Sequence, residues 1–401
     1  MRSTVPHSVE PGFRRGWLLL AAAVCIGFSS SASALSIGPE HLVSQYIKQL
    51  SDPDVGMRHR AAQHLGGYKD ERAVEPLIRC LEDEDVHVRK AAVVSLAKQE
   101  DKRAVEPIIA RLKDEVEDVR RAAIDALTAL GDGRAAEPVA ACLSDPALRM
   151  RAVKALGTFK DRRGASPLVK VLGVKPSHER EAVVQAIVQI GDEAVVPELI
   201  ELLKGGEREA RLGALRTLGL MKALRAYPPI VAALDDKDAR VRSAAAFALG
   251  DLGDKRALEL LLPMRRDRSA EVRRAVAVAL GRLGGVRAMR ALIYMLRDKH
   301  GDVRAAAARG LGQVGLKAAV PQVIPMLKDE DRRVRWAAAQ ALGELRDPRA
   351  IEPLIRTLSD PDPNAVSAAA SALKEITGEK FGQRADRWRA WLKEVRNTEP
   401  E

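Results

Sequence analysis

One stretch, Asp329 to Asp360, reads DEDRRVRWAAAQALGELRDPRAIEPLIRTLSD and recurs with substitutions along most of the 401-residue chain. Stepping back from Arg335 by 31 residues lands on Arg304, Arg273, Arg242, Arg211 and Arg180; a step of 29 reaches Arg149, and further steps of 31 reach Arg120, Arg89 and Arg58. The forward step meets Val366 instead, which brings the count to about eleven units. Such a chain cannot collapse around one centre. Each unit covers its apolar face with its neighbours, so the molecule grows along one direction.

Within a unit the apolar spacing is helical. Val334, Ala337, Ala338, Ala341, Leu342 and Leu345 share one face of a predicted helix, and the abundance of alanine predicts close approach to neighbouring helices. Arg346-Asp347-Pro348-Arg349 reads as a turn. Ala350 to Leu358 reads as a second helix with Pro353 in its first turn, where no backbone N–H is missed. Helices of roughly three turns are marginal alone in water, so each pair must draw its stability from the pairs before and after it. With 3% aromatic residues and no Gly/Ser-rich linker, nothing marks a second globular domain.

The motif D-x-x-V-R-x-A-A-x-x-L-G followed by D-x-R-A-x-x-P-L resembles the HEAT-like repeats of the phycobilin lyase type, over almost the whole chain after its leader. The resemblance implies an all-α fold: a right-handed α-α superhelix, a HEAT/armadillo-like solenoid of about eleven helix pairs over residues 35–377. It specifies fold rather than activity, because the same repeat serves lyases, hydroxylases, DNA-binding proteins and plain scaffolds.

Residues 1–34 stand apart. Arg14-Arg15, a 12-residue apolar run from Trp17 to Phe28, and Ala32-Ser33-Ala34 have the shape of a secretory signal, with cleavage expected after Ala34. The run is too short to span a bilayer comfortably, and no transmembrane anchor is expected once the signal is removed. The paired arginines also resemble, loosely, a twin-arginine signal. The expected location is therefore exported and periplasmic.

Beyond the leader the cysteines are Cys80 and Cys142, at the same position in units two repeats apart. Helices packed at about 8–10 Å put such positions roughly 20 Å apart, too far for a disulfide. The repeat is least regular from Leu172 to Gly206, where Val174 and Gly205 replace the aspartate that elsewhere stands six residues before the anchor arginine, and altered curvature is expected there. Residues 378–401 form a final segment whose helix carries Trp388, Trp391 and Leu392, expected to cap the exposed end of the stack. This tail resembles the closing segment of exported bacterial HEAT-repeat proteins.

The recurrent arginines Arg58, Arg89, Arg120, Arg149, Arg180, Arg211, Arg242, Arg273, Arg304 and Arg335 read as structural anchors. Aspartates six residues earlier, at Asp52, Asp83, Asp114, Asp236, Asp267, Asp298 and Asp329, are expected to pair with them across the turn. Arg72, Arg103, Arg134, Arg163, Arg256, Arg287 and Arg349 recur in the other turn with the same structural reading. HEAT-like hydroxylases that hold a di-iron centre use several His-Glu pairs, and this chain has one, His178-Glu179, too few for such a ligand set. No P-loop or G-x-S-x-G motif is present. The reading is a non-enzyme with no cofactor, no metal site and no catalytic residue.

The net charge of +11 raises the question of nucleic acid. Export argues against that partner, and much of the arginine excess belongs to turns. An anionic envelope component remains a partner to weigh. Solenoids usually bind along the concave face, expected here on the second helix of each pair, and positions one and five after each anchor point the same way. The candidate partner-binding residues on that face are Lys90, Arg121, Lys154, Leu212, Arg216, Phe247, Arg274, Arg309, Trp336 and Gln340. They vary from unit to unit, and Leu212, Phe247 and Trp336 are apolar where a merely solvated face would be polar. The expected function is a scaffold or adaptor for another protein. The alternatives are a repeat enzyme of the bilin lyase or hydroxylase kind and a binder of anionic envelope polymers.

Overall fold

The computed structural model describes residues 39–173 and 177–398, so the leader, its cleavage point and Val174 lie outside the described residues. Within them the chain forms twenty-three α-helices and no strand. Eleven pairs run from Pro39–Gln49 with Val55–Leu65 to Ile351–Thr357 with Pro363–Thr377, and a last helix, Ala385–Thr398, follows. In each pair the anchor arginine or its equivalent lies on the second helix. No described helix is long and apolar enough to cross a membrane.

The two helices of a unit differ more than the sequence predicts. Most second helices run to four turns, as in Val86–Gln99, Ala270–Leu283 and Arg332–Leu345, each 14 residues long. Many first helices are only six residues, such as Val74–Arg79, and 3₁₀ turns flank them. The proline at the third helical position explains the asymmetry. It cannot donate to the carbonyl four residues back, and the preceding turn winds more tightly under an aspartate cap. Asp347, for instance, accepts from the Arg349 backbone N–H. A second aspartate caps many long helices: Asp54, Asp85, Asp238, Asp331 and Asp362 each accept an N–H of the first turn.

The long helices form one layer and the short helices another, and the buried core lies between them as a continuous strip from Val43 to Trp388. Successive long helices lie flank against flank, while successive short helices touch far less. Glycine sets that spacing. Gly219, Gly250, Gly281, Gly312 and Gly343 stand at the same place in five consecutive units, and a Cβ at Gly250 would lie 2.8 Å from the Ala279 Cα. At Gly281 the same methyl would lie 2.7 Å from the Gly310 Cα. Alanine patterning therefore does produce close approach, and glycine carries the closest contacts.

At the C-terminal end Trp388 is fully buried, and its indole N–H donates to the Gly382 carbonyl at 2.8 Å. Phe381 and Trp391 meet its ring edge-on at 4.9 and 5.9 Å. Arg396 reaches back to Glu352 on the last short helix at 2.9 Å. Cys80 and Cys142 are both free and buried, and burial pushes the Cys80 thiol up to about 11.

Candidate binding surface

The anchor arginines build a ladder whose direction differs from the sequence expectation. All but Arg149 take their carboxylate from the next unit rather than their own. Arg58 donates through Nε and Nη2 to Asp83 at 2.8 and 3.0 Å, while its Nη1 donates to the backbone carbonyl of Asp52, the aspartate of its own unit. The same fork recurs at Arg89 with Asp114, Arg242 with Asp267, Arg273 with Asp298, Arg304 with Asp329, and Arg335 with Asp360. Arg211 pairs with Asp236 through a single nitrogen, and Arg120 lies 3.8 Å from Asp145. The N–H two residues on orients each aspartate: Asp83 Oδ1 accepts both from the Asp85 N–H and from Arg58 Nη2, which turns the carboxylate toward the preceding unit. Its carbonyl is left for the arginine of its own unit, Arg89.

The ladder breaks at one place. Arg149 donates to the Leu143 carbonyl, with no described carboxylate partner, and Arg180 takes Glu209 from inside the next long helix, at 2.7 Å. In the other turn, Arg72, Arg103, Arg134, Arg163, Arg256 and Arg349 each pair with the aspartate two residues before. Three of them, Arg134, Arg163 and Arg349, also donate to a backbone carbonyl of the preceding unit. Arg287 reaches Glu259 instead. The hydrogen bond from Arg349 holds the Asp347 carboxyl down at about 2, and Arg134 does the same for Asp132. These guanidinium groups are committed to holding the rod together.

Most residues one and five after the anchors are exposed or half-buried, whereas Ser243 and Ala305 are buried, and those near the two ends of the stack line grooves between successive long helices. His59, Gln63, His87, Lys90, Val94 and Lys98 border a groove of about 410 Å³. Lys90 and Val94 also border the next, of about 430 Å³, with Asp118, Arg121, Asp125 and Arg151. Near the other end, Trp336 and Gln340 border a groove of about 250 Å³ with Glu344, Asn364, Ser367 and Glu375. The grooves are open and mixed in polarity.

The individual candidates fall into four groups. Lys90, Arg121 and Arg216 are tied into surface ion pairs: Lys90 with Asp118 at 2.8 Å, Arg121 with Glu117, and Arg216 with Asp251 at 3.2 Å. Lys154 and Gln340 are exposed. Leu212, Phe247 and Trp336 are half-buried against the core. Arg274 lies over the Phe247 ring at 5.5 Å, and Arg309 lies over the Trp336 ring at 5.8 Å. In both stacks the residue five after one anchor meets the residue one after the next.

Sequence reasoning missed that coupling, because helical phase within one unit does not say which neighbour a long side chain leans toward. It also missed the row nine residues after the anchors. There Asp251 bridges Arg216 and Arg282, while burial and the charge of Glu375 hold the Glu344 carboxyl above the usual range. His178 is exposed and Glu179 half-buried in the first turn of Ser177–Ile190. Among the described residues no group of three or more His, Cys, Asp or Glu side chains is placed to hold a metal ion.

Stacked helix pairs, one layer of tight long helices and ties between neighbouring units define an α-solenoid. A family model for HEAT repeats matches residues 43–128, 93–147, 105–188, 136–219, 176–246, 196–281, 227–302 and 289–374, and the chain belongs to the HEAT-repeat family. No curated protein matches it. Among solved structures it is similar to the karyopherin Kap121p, with 13% identity over 86% of this chain and 46% of that one, at a TM-score of 0.67. Kap121p bound to the SUMO protease Ulp1p gives 13% identity over 91% and 47%, also at 0.67. Kap95p, whose binding acts on the switch loops of RanGDP, gives 12% identity over 88% and 57%, at 0.52. The chain thus spans about half the length of these karyopherins, and at such identity the likeness is one of fold.

Proposed function

We propose that the protein is a non-enzymatic scaffold that grips another protein along a concave face formed by its long helices. One observation carries the reading. The core positions repeat from unit to unit, and the ladder positions do so except around Arg149 and Arg180, whereas the residues one and five after the anchors change, and those near the two ends line open grooves of the long-helix layer. The tighter spacing of the long helices supports their placement on the inside of the bend, because the layer with the shorter repeat distance lies inside any curve. A partner laid along that side touches many units at once. Each contact is modest, and specificity comes from their order along the rod. Export through the leader would place the encounter in the cell envelope, with the Trp388 helix closing the free end of the stack.

Site-specific photo-crosslinking tests this directly. A crosslinker introduced in place of Gln63 or Gln340, on the long-helix side, should trap one and the same partner. One in place of Gln322, exposed among the short helices, should trap nothing specific. Equal trapping from the two sides, or none from the long-helix side, overturns the assignment.

A further inference from the structure

Most arginines described above sit against a carboxylate or a backbone carbonyl, but Arg274 and Arg309 do not. Among the described residues neither side chain makes an ion pair or a hydrogen bond, and each instead lies over an aromatic ring. The four residues come from four consecutive long helices: Phe247 from Ala239–Leu252, Arg274 from Ala270–Leu283, Arg309 from Gly301–Val314 and Trp336 from Arg332–Leu345. The rings are therefore outermost and the two cations lie between them. A guanidinium resting on a ring uses its face and keeps its N–H rim, the edge that recognises a carboxylate with two parallel hydrogen bonds.

The surroundings leave these cations without a counter-charge. Asp302, the carboxylate felt by Arg309, is held by Arg333 at 2.6 Å, and Asp251 is held between Arg216 and Arg282. Burial first, and then the charge of Arg274, hold Arg309 below its ordinary range, so the two guanidinium groups feel each other. Two half-buried like charges without an anion cost free energy that an incoming carboxylate would offset. The ladder arginines from Arg211 to Arg335 avoid this arrangement, because aspartates close them, whereas Arg265 and Arg266 share the exposed Tyr294 ring at 5.4 and 5.5 Å.

We infer that Phe247, Arg274, Arg309 and Trp336 form a receptor for an acidic, extended segment of the protein partner, with carboxylates on the two arginines and apolar side chains on the two rings. The inference rests on the scaffold reading above and deepens it by naming the chemistry of what is bound. Crossing four helices spaced by roughly 10 Å takes about nine extended residues, with two acidic residues about three apart. Discrete carboxylates fit better than a phosphate polymer. Glu344 borders the Trp336 groove beside Glu375, and a chain charged at every step would run into this acidic pair.

The probe is the blocked nonapeptide acetyl-Ala-Leu-Glu-Ser-Gly-Glu-Ser-Leu-Ala-amide, titrated into the full chain and followed by tryptophan fluorescence and calorimetry. Its counterpart with both glutamates changed to glutamine should bind about tenfold more weakly, the size of effect two charge-assisted pairs produce. The double variant Arg274→Gln/Arg309→Gln should lose the same factor, whereas Arg162→Gln, an exposed arginine of a short-helix turn, should change nothing. Arg274→Lys/Arg309→Lys keeps the charge without the fork and should fall in between, which separates recognition from a folding defect. Failure of the wild-type chain to prefer the glutamate peptide overturns the inference, as does undiminished binding by the double glutamine variant. Tighter binding of a nine-nucleotide oligothymidylate than of the peptide also overturns it, in favour of a polyanion site. The crosslinking experiment keeps the two readings distinguishable. Specific trapping at Gln340 without peptide binding would leave the scaffold standing and remove only its acidic ligand.

Discussion

From Arg211 to Asp360 every anchor arginine meets a carboxylate of the following unit, whereas between Arg149 and Glu209 the ladder is interrupted and patched. Both stretches nevertheless form the same helix pairs. The glycine contacts follow the same division. Gly219 to Gly343 continue unit after unit, while in the interrupted stretch Gly157 packs on Ala186 and the next equivalent residue is Val188. Helix formation and unit-to-unit fastening are thus separable. Most pairs combine apolar spacing with an aspartate cap and a first-turn proline, yet Gly285–Met295 and Gly301–Val314 pair without cap or proline, so the apolar spacing suffices; the joint needs two further residues, one on each side of a boundary.

Acid should erase the difference between the stretches most completely. In the regular stretch, burial raises the carboxyl values of Asp267 and Asp298, but the hydrogen bonds from Arg242 and Arg273, a backbone N–H and the guanidinium charges outweigh it and lower them. Because the folded values lie below the unfolded ones, this contribution is fully present above the ordinary carboxylate range and is lost as the pH falls through the lowered folded values. Hydrogen exchange between pH 5 and pH 2.5 should show the helices after Arg211 losing their extra protection and converging on those between Arg149 and Arg208. Parallel decline of both stretches would count against the ladder as the source of the difference.

Breaking one rung is the next largest effect. Arg273→Met leaves Asp298 without its guanidinium and should cost about 3 kcal/mol. Arg149→Met, where no carboxylate is engaged, should cost under about 1 kcal/mol. Chemical denaturation of the two variants compares them, and equal losses would deny any special role to the carboxylate fork.

The patch at the interruption offers a sharper contrast. Glu209→Gln weakens the charge partner of the buried Arg180 and should destabilise by about 2 kcal/mol. Gly205 occupies the place where other units carry the ladder aspartate, and a side chain there meets open space. Gly205→Asp in the Glu209→Gln background should recover about half of that loss, and no recovery would show that register alone does not make a rung.

Spacing can be tested separately from charge. Gly250→Ala forces a methyl against the Ala279 backbone and should cost about 2 kcal/mol. The equivalent residue near the other end is already Ala97, half-buried, and Ala97→Gly should cost only about 1 kcal/mol, through helix propensity. Thermal melts of the two variants decide whether the long helices really lie closer together in the second half.

Much of this was legible in the sequence. The period gave the pairs, and apolar spacing gave the face of each long helix that turns inward. The phase of positions one and five after the anchor picked out residues that are mostly accessible, with Ser243 and Ala305 buried instead. The direction of the arginine pairs was not legible, because the aspartate of the same unit and that of the next both lie within a side chain's reach. Only the turn geometry decides, because the backbone N–H two residues on orients each carboxylate toward the preceding unit. The stacks of Arg274 on Phe247 and Arg309 on Trp336 were hidden for a related reason. They join residues of different units, and the helical phase within one unit says nothing about which neighbour a long side chain leans toward.

Each unit of the regular stretch carries an arginine for the unit ahead and an aspartate for the unit behind. A tandem duplication of any one period, begun at whatever residue, therefore brings both halves of a new joint with it. The copy fits on arrival, with no compensating change elsewhere in the gene. Length is consequently the property of this molecule most readily altered by inheritance, and the partner-facing residues are free to diverge once the extra unit is in place.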